Sequence, residues 1–405
     1  MRFKRLGGWG TLSALSITTL LAFGLTGVAH AAGDTCTWTG ATDNNFSTTT
    51  NWSNCSSAAP VTGDSLIFDN TSLASSATIN NDISGLDIAS ITFQGTNSSA
   101  YGFTLTGDAM SLDGGITDTS SALDNQVSID LTLTADQSFT NTTGSFGLVI
   151  GDSSYTNALN LGSNTLTLDS NFQLSGGGGS ITLDSQLEGT GNLVMNGTND
   201  GVYSFEAAAN GYSGNISLDN GQIYVTLPTS FGTGTVTVSN GATLNTNFDT
   251  SSPTFSNTLV IGGSGFNGTA GALVVNDGCP APGNSGTCTD TGTDTFSGPV
   301  TLTADTTVGT PGNTVVFTGV LTCSTYTLTL TSGSLGTLNG ASSCGSSSSG
   351  STGSTSGTNA PKTPNTGSAL VSDNVVLPLA GSILLAGGIY FISRKVKNPM
   401  DTKRR

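Results

Sequence analysis

Residues 189–244 decide the fold, and they read GTGNLVMNGTNDGVYSFEAAANGYSGNISLDNGQIYVTLPTSFGTGTVTVSNGATL. Within this stretch, residues 192–195 and 235–238 place apolar side chains on one face at period two, which is typical of half-buried β-strands. Asn-Gly pairs, which favour tight turns, punctuate the stretch and recur beyond it. They are Asn196-Gly197, Asn210-Gly211, Asn220-Gly221, Asn240-Gly241 and Asn339-Gly340.

The same pattern extends in both directions along the chain. Residues 180–184 (SITLD) and 327–330 (TLTL) alternate in the same way, and LTLTAD at 131–136 recurs as VTLTAD at 300–305. No stretch between Gly33 and Asn359 has a helical period. Degenerate repetition of short strands predicts an all-β solenoid whose coils bury aliphatic side chains and expose Thr, Ser and Asn. A string of β-sandwiches would use similar strands and is the alternative.

Charge limits the chemistry that the chain can perform. Its 405 residues include 10 Lys+Arg, 26 Asp+Glu and one histidine, His30, and no Lys or Arg lies between Leu6 and Pro361. The middle of the chain therefore lacks the commonest general base, a Schiff-base lysine and a phosphate-binding arginine. Nucleic-acid binding is excluded because no cation there can neutralise backbone phosphates.

Carboxylates are the remaining candidates for catalysis. The glutamates of the middle region are Glu188 and Glu206, and most aspartates occupy turn contexts in which the side chain bonds local backbone. Examples are Asp82, Asp113, Asp219 and Asp277. We predict no catalytic, cofactor or metal site and a protein that is not an enzyme. The alternative is a polysaccharide-cleaving enzyme that uses Asp pairs on adjacent coils.

The N-terminus is predicted to be a secretory signal peptide, residues 1–31. A basic start is followed by an apolar segment and by the small-x-small site Ala29-His30-Ala31, with cleavage expected after Ala31. The alternative is an uncleaved N-terminal anchor. Export would place the chain in a compartment that permits disulfides.

The C-terminal region has several parts in a fixed order. A Ser/Gly/Thr-rich linker at 342–360 precedes PKTPNTG at 361–367, an apolar segment at 375–392 and a basic tail at 393–405. Eighteen helical residues span about 27 Å, so 375–392 is predicted to be a transmembrane helix. The basic tail places the C-terminus in the cytoplasm and the preceding chain outside.

This end resembles the cell-wall sorting signal of sortase substrates, which carry Leu-Pro-x-Thr-Gly before an apolar segment and a basic tail. The matching positions are Thr363, Pro364, Asn365, Thr366 and Gly367, with Thr in place of the usual Leu. The resemblance implies cleavage between Thr366 and Gly367 and linkage of Thr366 to peptidoglycan, with sortase and peptidoglycan as partners. A plain C-terminal membrane anchor is the alternative.

Six cysteines in an exported chain predict disulfides. Pairing in sequence order would join Cys36 with Cys55, Cys279 with Cys288 and Cys323 with Cys344, although fifteen connectivities are possible in principle. A zinc site is not expected, since the CxxC pairs and partner histidines that it needs are missing.

Residues 36–340 resemble, in patches, the passenger-associated β-strand repeat of autotransporter proteins. The matching residues are Asn210-Gly211-Tyr212-Ser213-Gly214 and Gly232-Thr233-Gly234-Thr235-Val236, and Trp38-Thr39-Gly40 with Asn51-Trp52 resembles the opening of such passengers. The resemblance implies a right-handed parallel β-helix, which we assign to an ectodomain at 32–341. The translocator barrel of that family does not follow, and the sorting-type end stands in its place.

These observations predict a non-enzymatic protein of the cell surface, held by the cell wall or the plasma membrane. We expect an adhesin or a stalk that meets a glycan or protein of a host or neighbouring cell. A structural coat component without a specific ligand is the alternative. Six aromatic residues are candidates for glycan contact, although we expect Trp38 and Trp52 to pack at the N-terminal end of the solenoid. The candidates are Trp38, Trp52, Tyr101, Tyr203, Tyr212 and Tyr224.

Overall fold

A computed structural model describes the central part of the chain. The described residues are 33–338 and 345–348, apart from 57, 98, 100, 123, 143–146, 172–179, 198–200, 210, 248–252, 269–270, 276–291, 311–312 and 332–333. The signal peptide, the sorting motif and the apolar segment at 375–392 lie outside these residues. Among the described residues, no helix is long and apolar enough to cross a membrane.

The described chain consists of short β-strands and two 3-10 turns, Thr49–Asn51 and Phe266–Gly268. The first strands are β1 (Thr35–Trp38), β2 (Trp52–Ser53), β3 (Ser65–Asp69), β4 (Ala77–Asn81), β5 (Leu86–Ile88), β6 (Ser90–Gln94), β7 (Phe103–Gly107), β8 (Met110–Leu112), β9 (Ile116–Asp118), β10 (Asp124–Val127), β11 (Leu131–Leu133), β12 (Gln137–Asn141), β13 (Gly147–Gly151), β14 (Ala158–Asn160), β15 (Leu166–Ser170), β16 (Ile181–Asp184) and β17 (Gln186–Gly189).

The second half continues in the same manner. Its strands are β18 (Leu193–Asn196), β19 (Val202–Phe205), β20 (Gly211–Tyr212), β21 (Ile216–Asn220), β22 (Gln222–Val225), β23 (Val236–Val238), β24 (Thr243–Thr246), β25 (Thr254–Phe255), β26 (Leu259–Gly263), β27 (Leu273–Val275), β28 (Thr293–Phe296), β29 (Val300–Gly309), β30 (Thr314–Phe317), β31 (Leu321–Thr322), β32 (Thr327–Leu330), β33 (Ser334–Leu338) and β34 (Gly345–Ser348).

The strands form a parallel β-solenoid of about nine turns, in which the chain visits three faces in succession. The first face stacks β3, β6, β9 and their successors, and the second face stacks β4, β7, β10 and theirs. Both belong to one 24-stranded sheet because β29 runs through both faces, pairing with β26 on the first and β27 on the second. The third face is a six-stranded sheet from β5 to β20, followed by a four-stranded sheet from β25 to β33.

The core follows from the period-two alternation and the parallel register. Inward residues of successive first-face strands are direct register partners and all are buried. This column runs Leu66, Ile91, Ile116, Phe139, Leu168, Met195, Leu218, Val238, Ile261 and Leu302. A one-residue slip would turn these side chains to solvent, so burial of the column fixes the register of every coil.

Buried asparagines satisfy backbone groups where the chain turns from the first face to the second. The side-chain amide of Asn70 donates to the Tyr101 carbonyl at 3.0 Å, and Asn97 donates to the Asn70 and Leu73 carbonyls at 2.9 and 2.7 Å. Asn141 donates to the Ser180 carbonyl at 3.0 Å. Buried carbonyls at a corner lack a backbone donor from a neighbouring strand, and these side-chain amides act as the donor instead.

A hairpin closes the N-terminal end. Strand β1 pairs antiparallel with β2 and parallel with β3, so that the hairpin covers the first coil of the first face. Trp38 and Trp52 pack edge-to-face with ring centroids 5.0 Å apart, and both are buried with Phe46 and Phe68. Solenoids need such end caps because the first coil would otherwise expose its core and its unpaired strand edges. The expectation that the two tryptophans pack here is confirmed.

The third face is interrupted between β20 and β25, and an aromatic ladder bridges the break. The chain turns at residues 226–235 instead of forming a third-face strand. Phe231 from this turn lies edge-to-face against Phe205 at 5.1 Å and Phe255 at 6.0 Å. Phe296 and Phe317 continue the ladder. The core therefore remains continuous although the sheet does not.

The all-β solenoid predicted from the repeats is confirmed, and its coils share one core rather than forming separate sandwiches. The internal repeat is not a coil-to-coil equivalence. LTLTAD at 131–136 supplies third-face strand β11, whereas VTLTAD at 300–305 belongs to the first-face part of β29. The same apolar alternation can occupy any face, because each face has the same inward-outward pattern.

Candidate functional site

The outer surface of the first face is rich in uncharged hydroxyl groups. Thr92, Thr117 and Thr140 are direct register partners, so their side chains stand one above another on successive coils. A second first-face column contains Ser138, Thr167, Val194, Ser217, Thr237, Val260, Thr301 and Thr322. Adjacent strands in a sheet are about 4.7–4.9 Å apart, which sets the spacing within each column.

Most of the aromatic candidates for ligand contact face the core. Tyr203 and Tyr212 are buried, as are the two tryptophans, while Tyr101 and Tyr224 are half-buried. The Tyr203 hydroxyl donates to the Leu168 carbonyl at 3.1 Å, and the Tyr212 hydroxyl donates to the Asn215 carbonyl at 3.0 Å. Burial raises the pKa of Tyr224 to about 12. These rings stabilise the solenoid, and stacking on an exposed aromatic platform is not the chemistry that they offer.

The predicted Cys36–Cys55 disulfide is confirmed and joins the N-terminal hairpin to the loop after β2. Sulfur atoms of this bridge and a carboxylate oxygen of Asp64 lie within 4.8 Å of one another. This trio is a poor metal site, because the thiolates that would bind the ion are consumed by the disulfide. Both Asp64 oxygens already accept backbone amides, from Asp34 at 2.8 Å and Val61 at 2.9 Å.

Of the four cysteines in the other predicted pairs, the structure describes one, Cys323. Cys323 is buried and disulfide-bonded. Cys344, Cys279 and Cys288 lie outside the described residues, so the two further pairings stay predictions. The same holds for Ala29, Ala31 and the sorting residues Thr363, Pro364, Asn365, Thr366 and Gly367.

Several corner carboxylates are engaged by neighbouring coils. Asp82 accepts the Ser47 amide at 2.8 Å, and hydrogen bonds from Ser47 outweigh partial desolvation and lower the Asp82 pKa. Asp113 accepts the Thr134 hydroxyl from the following coil, and Asp219 accepts the Ser217 hydroxyl. These carboxylates are engaged within the protein, but the partners described are a backbone amide 35 residues away and two hydroxyls, rather than the local backbone expected from the sequence. Asp277 lies outside the described residues.

A row of acidic residues follows the corner between the second and third faces. It comprises Asp82, Asp108, Asp130, Asp152, Asp184 and Glu206. Half-buried Asp184 has the most perturbed carboxyl of this row. Desolvation, together with the charges of Glu206 and Asp152, raises its pKa to about 7. A carboxyl that binds a proton near neutral pH is the group that a general acid requires.

A second acidic group is buried in the corner between the first and second faces. Asp118 accepts hydrogen bonds from the Ser120 amide at 2.9 Å and from the Asn125 side chain at 2.8 Å. Burial raises the pKa of Asp118 despite these hydrogen bonds. Nearby Asp124 accepts the Gly147 amide at 2.8 Å, and its pKa is also raised by burial. Asp118 is buried among protein donors and Asp124, although exposed, accepts a backbone amide, so both carboxylates contribute to the structure of the corner.

The described exterior therefore offers hydroxyls, amides and carboxylates. The acidic corner was not predicted from the sequence, because its residues come from separate coils. Their signal in the sequence is an acidic residue at or shortly after the end of each second-face strand from β4 to β19. Comparison of the chain with family models, curated proteins and solved structures yields no match.

Proposed function

We propose that this protein is a non-enzymatic component of the cell surface, an adhesin or stalk whose solenoid carries a polar exterior outward. In this proposal the signal peptide at 1–31 directs export, and the sorting motif followed by the helix at 375–392 attaches the chain to peptidoglycan or the plasma membrane. The coils wind right-handed, as the passenger-type resemblance implies and as parallel crossover connections strongly prefer.

The register of the outer columns carries the proposal. Thr92, Thr117 and Thr140 repeat one hydroxyl per coil, and the column Ile91, Ile116 and Phe139 behind them is apolar and buried. Such a solenoid gains length by adding coils, each stabilised by its neighbours. The chain between Leu6 and Pro361 also lacks Lys and Arg. An acidic, cation-free body stays soluble and avoids anionic surfaces such as nucleic acid.

Attachment is tested by mass spectrometry of wall digests from cells that express the full-length protein. We expect a peptide that ends at Thr366 and is joined to a peptidoglycan cross-bridge, and Thr366→Ala is expected to abolish it. An intact 375–392 segment in the membrane fraction would instead indicate plain membrane anchoring. Recovery of the protein only from the culture medium or the cytoplasm would contradict surface attachment.

Adhesion is tested by comparing cells that display the full-length protein with cells that lack it. The proposal predicts saturable attachment to host or neighbouring cells, competed by the added full-length protein. Surface display with no saturable attachment would favour the structural coat component.

A second candidate function follows from Asp184 and its acidic neighbours. A proton-carrying carboxyl with Asp152 and Glu206 nearby has the residue types of a glycoside hydrolase. Release of reducing sugar by the full-length protein, lost in Asp184→Asn and retained in Asp219→Asn, would favour this enzyme over the adhesin. If no reducing sugar is released from neutral or acidic polysaccharides, the hydrolase candidate is excluded.

A further inference from the structure

The outer surface of the third face contains a shallow depression. It has a volume of about 270 Å³ and crosses three successive coils near the N-terminal end. Its lining consists of Ser84, Gly85, Asp108, Ala109, Met110, Ser111 and Thr132. We call this feature the third-face depression.

Parallel register builds the depression. Strands β5, β8 and β11 pair so that Asp87, Ser111 and Thr132 are consecutive register partners on the outer surface. Met110 faces inward and is buried, and it forms part of the floor. Gly85 has a φ of +70°, and no atom lies within 4 Å of the position that a Cβ would take. The depression is therefore open above Gly85 and backed by the rigid solenoid core.

The Asp108 carboxylate is the distinguishing group. On the same corner, Asp82 accepts the Ser47 amide from the N-terminal cap, and Asp130 accepts the Ala158 amide at 2.9 Å. Among the described residues, no group donates a hydrogen bond to the exposed Asp108 carboxylate, although Asp108 lies between these two acids. Its oxygens remain available to a ligand.

We propose that the third-face depression binds a neutral glycan chain lying along the solenoid axis. The proposal deepens the adhesin function and rests on it. Asp108 would accept sugar hydroxyls through charge-assisted hydrogen bonds, while the Ser111 and Thr132 hydroxyls can both donate and accept. Coils about 4.7–4.9 Å apart present one polar group for each step along the axis, a spacing close to the length of one pyranose residue.

Charge selects the class of glycan. The acidic corner beside the depression and the lack of Lys and Arg between Leu6 and Pro361 repel chains that carry carboxylates or sulfates. Without an exposed aromatic platform in the lining, hydrogen bonds alone supply the affinity. We therefore expect weak binding, with a dissociation constant of about 0.1–1 mM, which multivalent display on a cell surface can strengthen.

The test titrates the full-length protein in detergent with three neutral hexasaccharides, composed of β-linked glucose, mannose or galactose. A hexasaccharide of uronic acid is titrated in parallel. At least one neutral chain is expected to bind and the acidic chain is not. Asp108→Asn should weaken that binding about 10-fold or more, and Thr132→Val about 2- to 10-fold. The controls Asp219→Asn, which removes one charge elsewhere, and Thr117→Val, on the first face, should bind like the parent.

Absence of neutral-glycan binding, or equal weakening by Asp108→Asn and Asp219→Asn, would overturn the proposal. Stronger binding of the acidic chain would overturn it as well. Circular dichroism and melting temperature verify that each variant is folded. Cell attachment measured with the same variants distinguishes a failure of the glycan site from a failure of the adhesin function. If attachment persists in the Asp108→Asn variant, the adhesin function holds and the third-face depression is not its site.

Discussion

The side-chain amide of Asn125 donates a hydrogen bond of 2.8 Å to the carboxylate of Asp118, and both residues are buried in the corner between the first and second faces. The Asn125 oxygen accepts the Phe103 amide of the preceding coil at 3.0 Å. One side chain thus satisfies an acid in its own coil and a backbone donor in the preceding coil. This arrangement couples the stacking of two coils to the geometry of a corner.

Replacement of Asn125 by alanine is expected to destabilise this corner by about 2–4 kcal/mol, because it leaves a buried acceptor and a buried amide without partners. Hydrogen exchange of β7 and β10 amides should accelerate accordingly. Thr104→Ala, on the outer surface of β7, is the matched control and should change little. Equal effects of the two substitutions would contradict the role assigned to Asn125.

Neutralising Asp184 is expected to stabilise the protein above pH 7. Its pKa is raised from 3.8 to about 7 by desolvation and by Glu206 and Asp152, so folding favours the protonated form. The penalty for ionisation develops as the pH rises from about 4 to 7 and is complete above that range. Asp184→Asn should therefore gain about 1–2 kcal/mol at pH 8, a value reduced for partial exposure, and nothing below pH 4.

Thermal melting of the parent and the Asp184→Asn variant across this pH range measures the difference. Asp219→Asn provides the control, because Asp219 is exposed. A gain that is the same at pH 4 and pH 8 would show that the charge of Asp184 is not its cause.

Loss of the Cys36–Cys55 disulfide is expected to loosen the N-terminal cap. The bridge closes a loop with a sequence separation of 19, for which the chain-entropy model gives about 3 kcal/mol. A Cys36→Ser/Cys55→Ser variant should lose protection from proteolysis and hydrogen exchange in β1 to β3 before any other strands. Protection that remains unchanged there would indicate that aromatic packing of Trp38 and Trp52 suffices to hold the cap.

Removing the Phe231 ring is expected to weaken the solenoid at the break in the third face. Phe231 is fully buried between Phe205 and Phe255, so Phe231→Ala should cost about 3–5 kcal/mol. Hydrogen exchange should increase in β20 and β25, and Phe231→Leu should have a smaller effect. No difference between these two variants would mean that the aromatic ladder does not bridge the break.

The fold class was accessible from the sequence because period-two alternation and Asn-Gly turns act locally. The first-face column from Leu66 to Leu302 follows from that alternation once the coils are stacked. The assignment of strands to faces was not accessible, since LTLTAD and VTLTAD differ little yet occupy different faces. Coil length varies as well: Leu218 and Val238 are register partners 20 residues apart, whereas Ile261 and Leu302 are 41 apart.

The third-face depression and the acidic corner were even harder to predict from the sequence. Asp108, Ser111 and Thr132 share a depression only because β8 and β11 are in register. A turn aspartate that accepts hydrogen bonds from its neighbours also has the same local sequence pattern as an aspartate without such bonds. The sequence predicted the chemistry of the exterior, with its hydroxyls and carboxylates. It could not predict which of them adjoin.

The outer columns and the third-face depression exist only if the coils stack in parallel register, and pairwise cysteine cross-linking tests this stacking most directly. Thr117 and Thr140 are register partners on adjacent coils, so their Cα atoms should lie within the separation of about 4.4–6.8 Å that a disulfide requires. We predict that a Thr117→Cys/Thr140→Cys variant forms this bridge on mild oxidation, as mapped by mass spectrometry. Thr92→Cys/Thr140→Cys, two coils apart, should not. Cross-linking of the second pair, or of neither, would contradict the parallel solenoid.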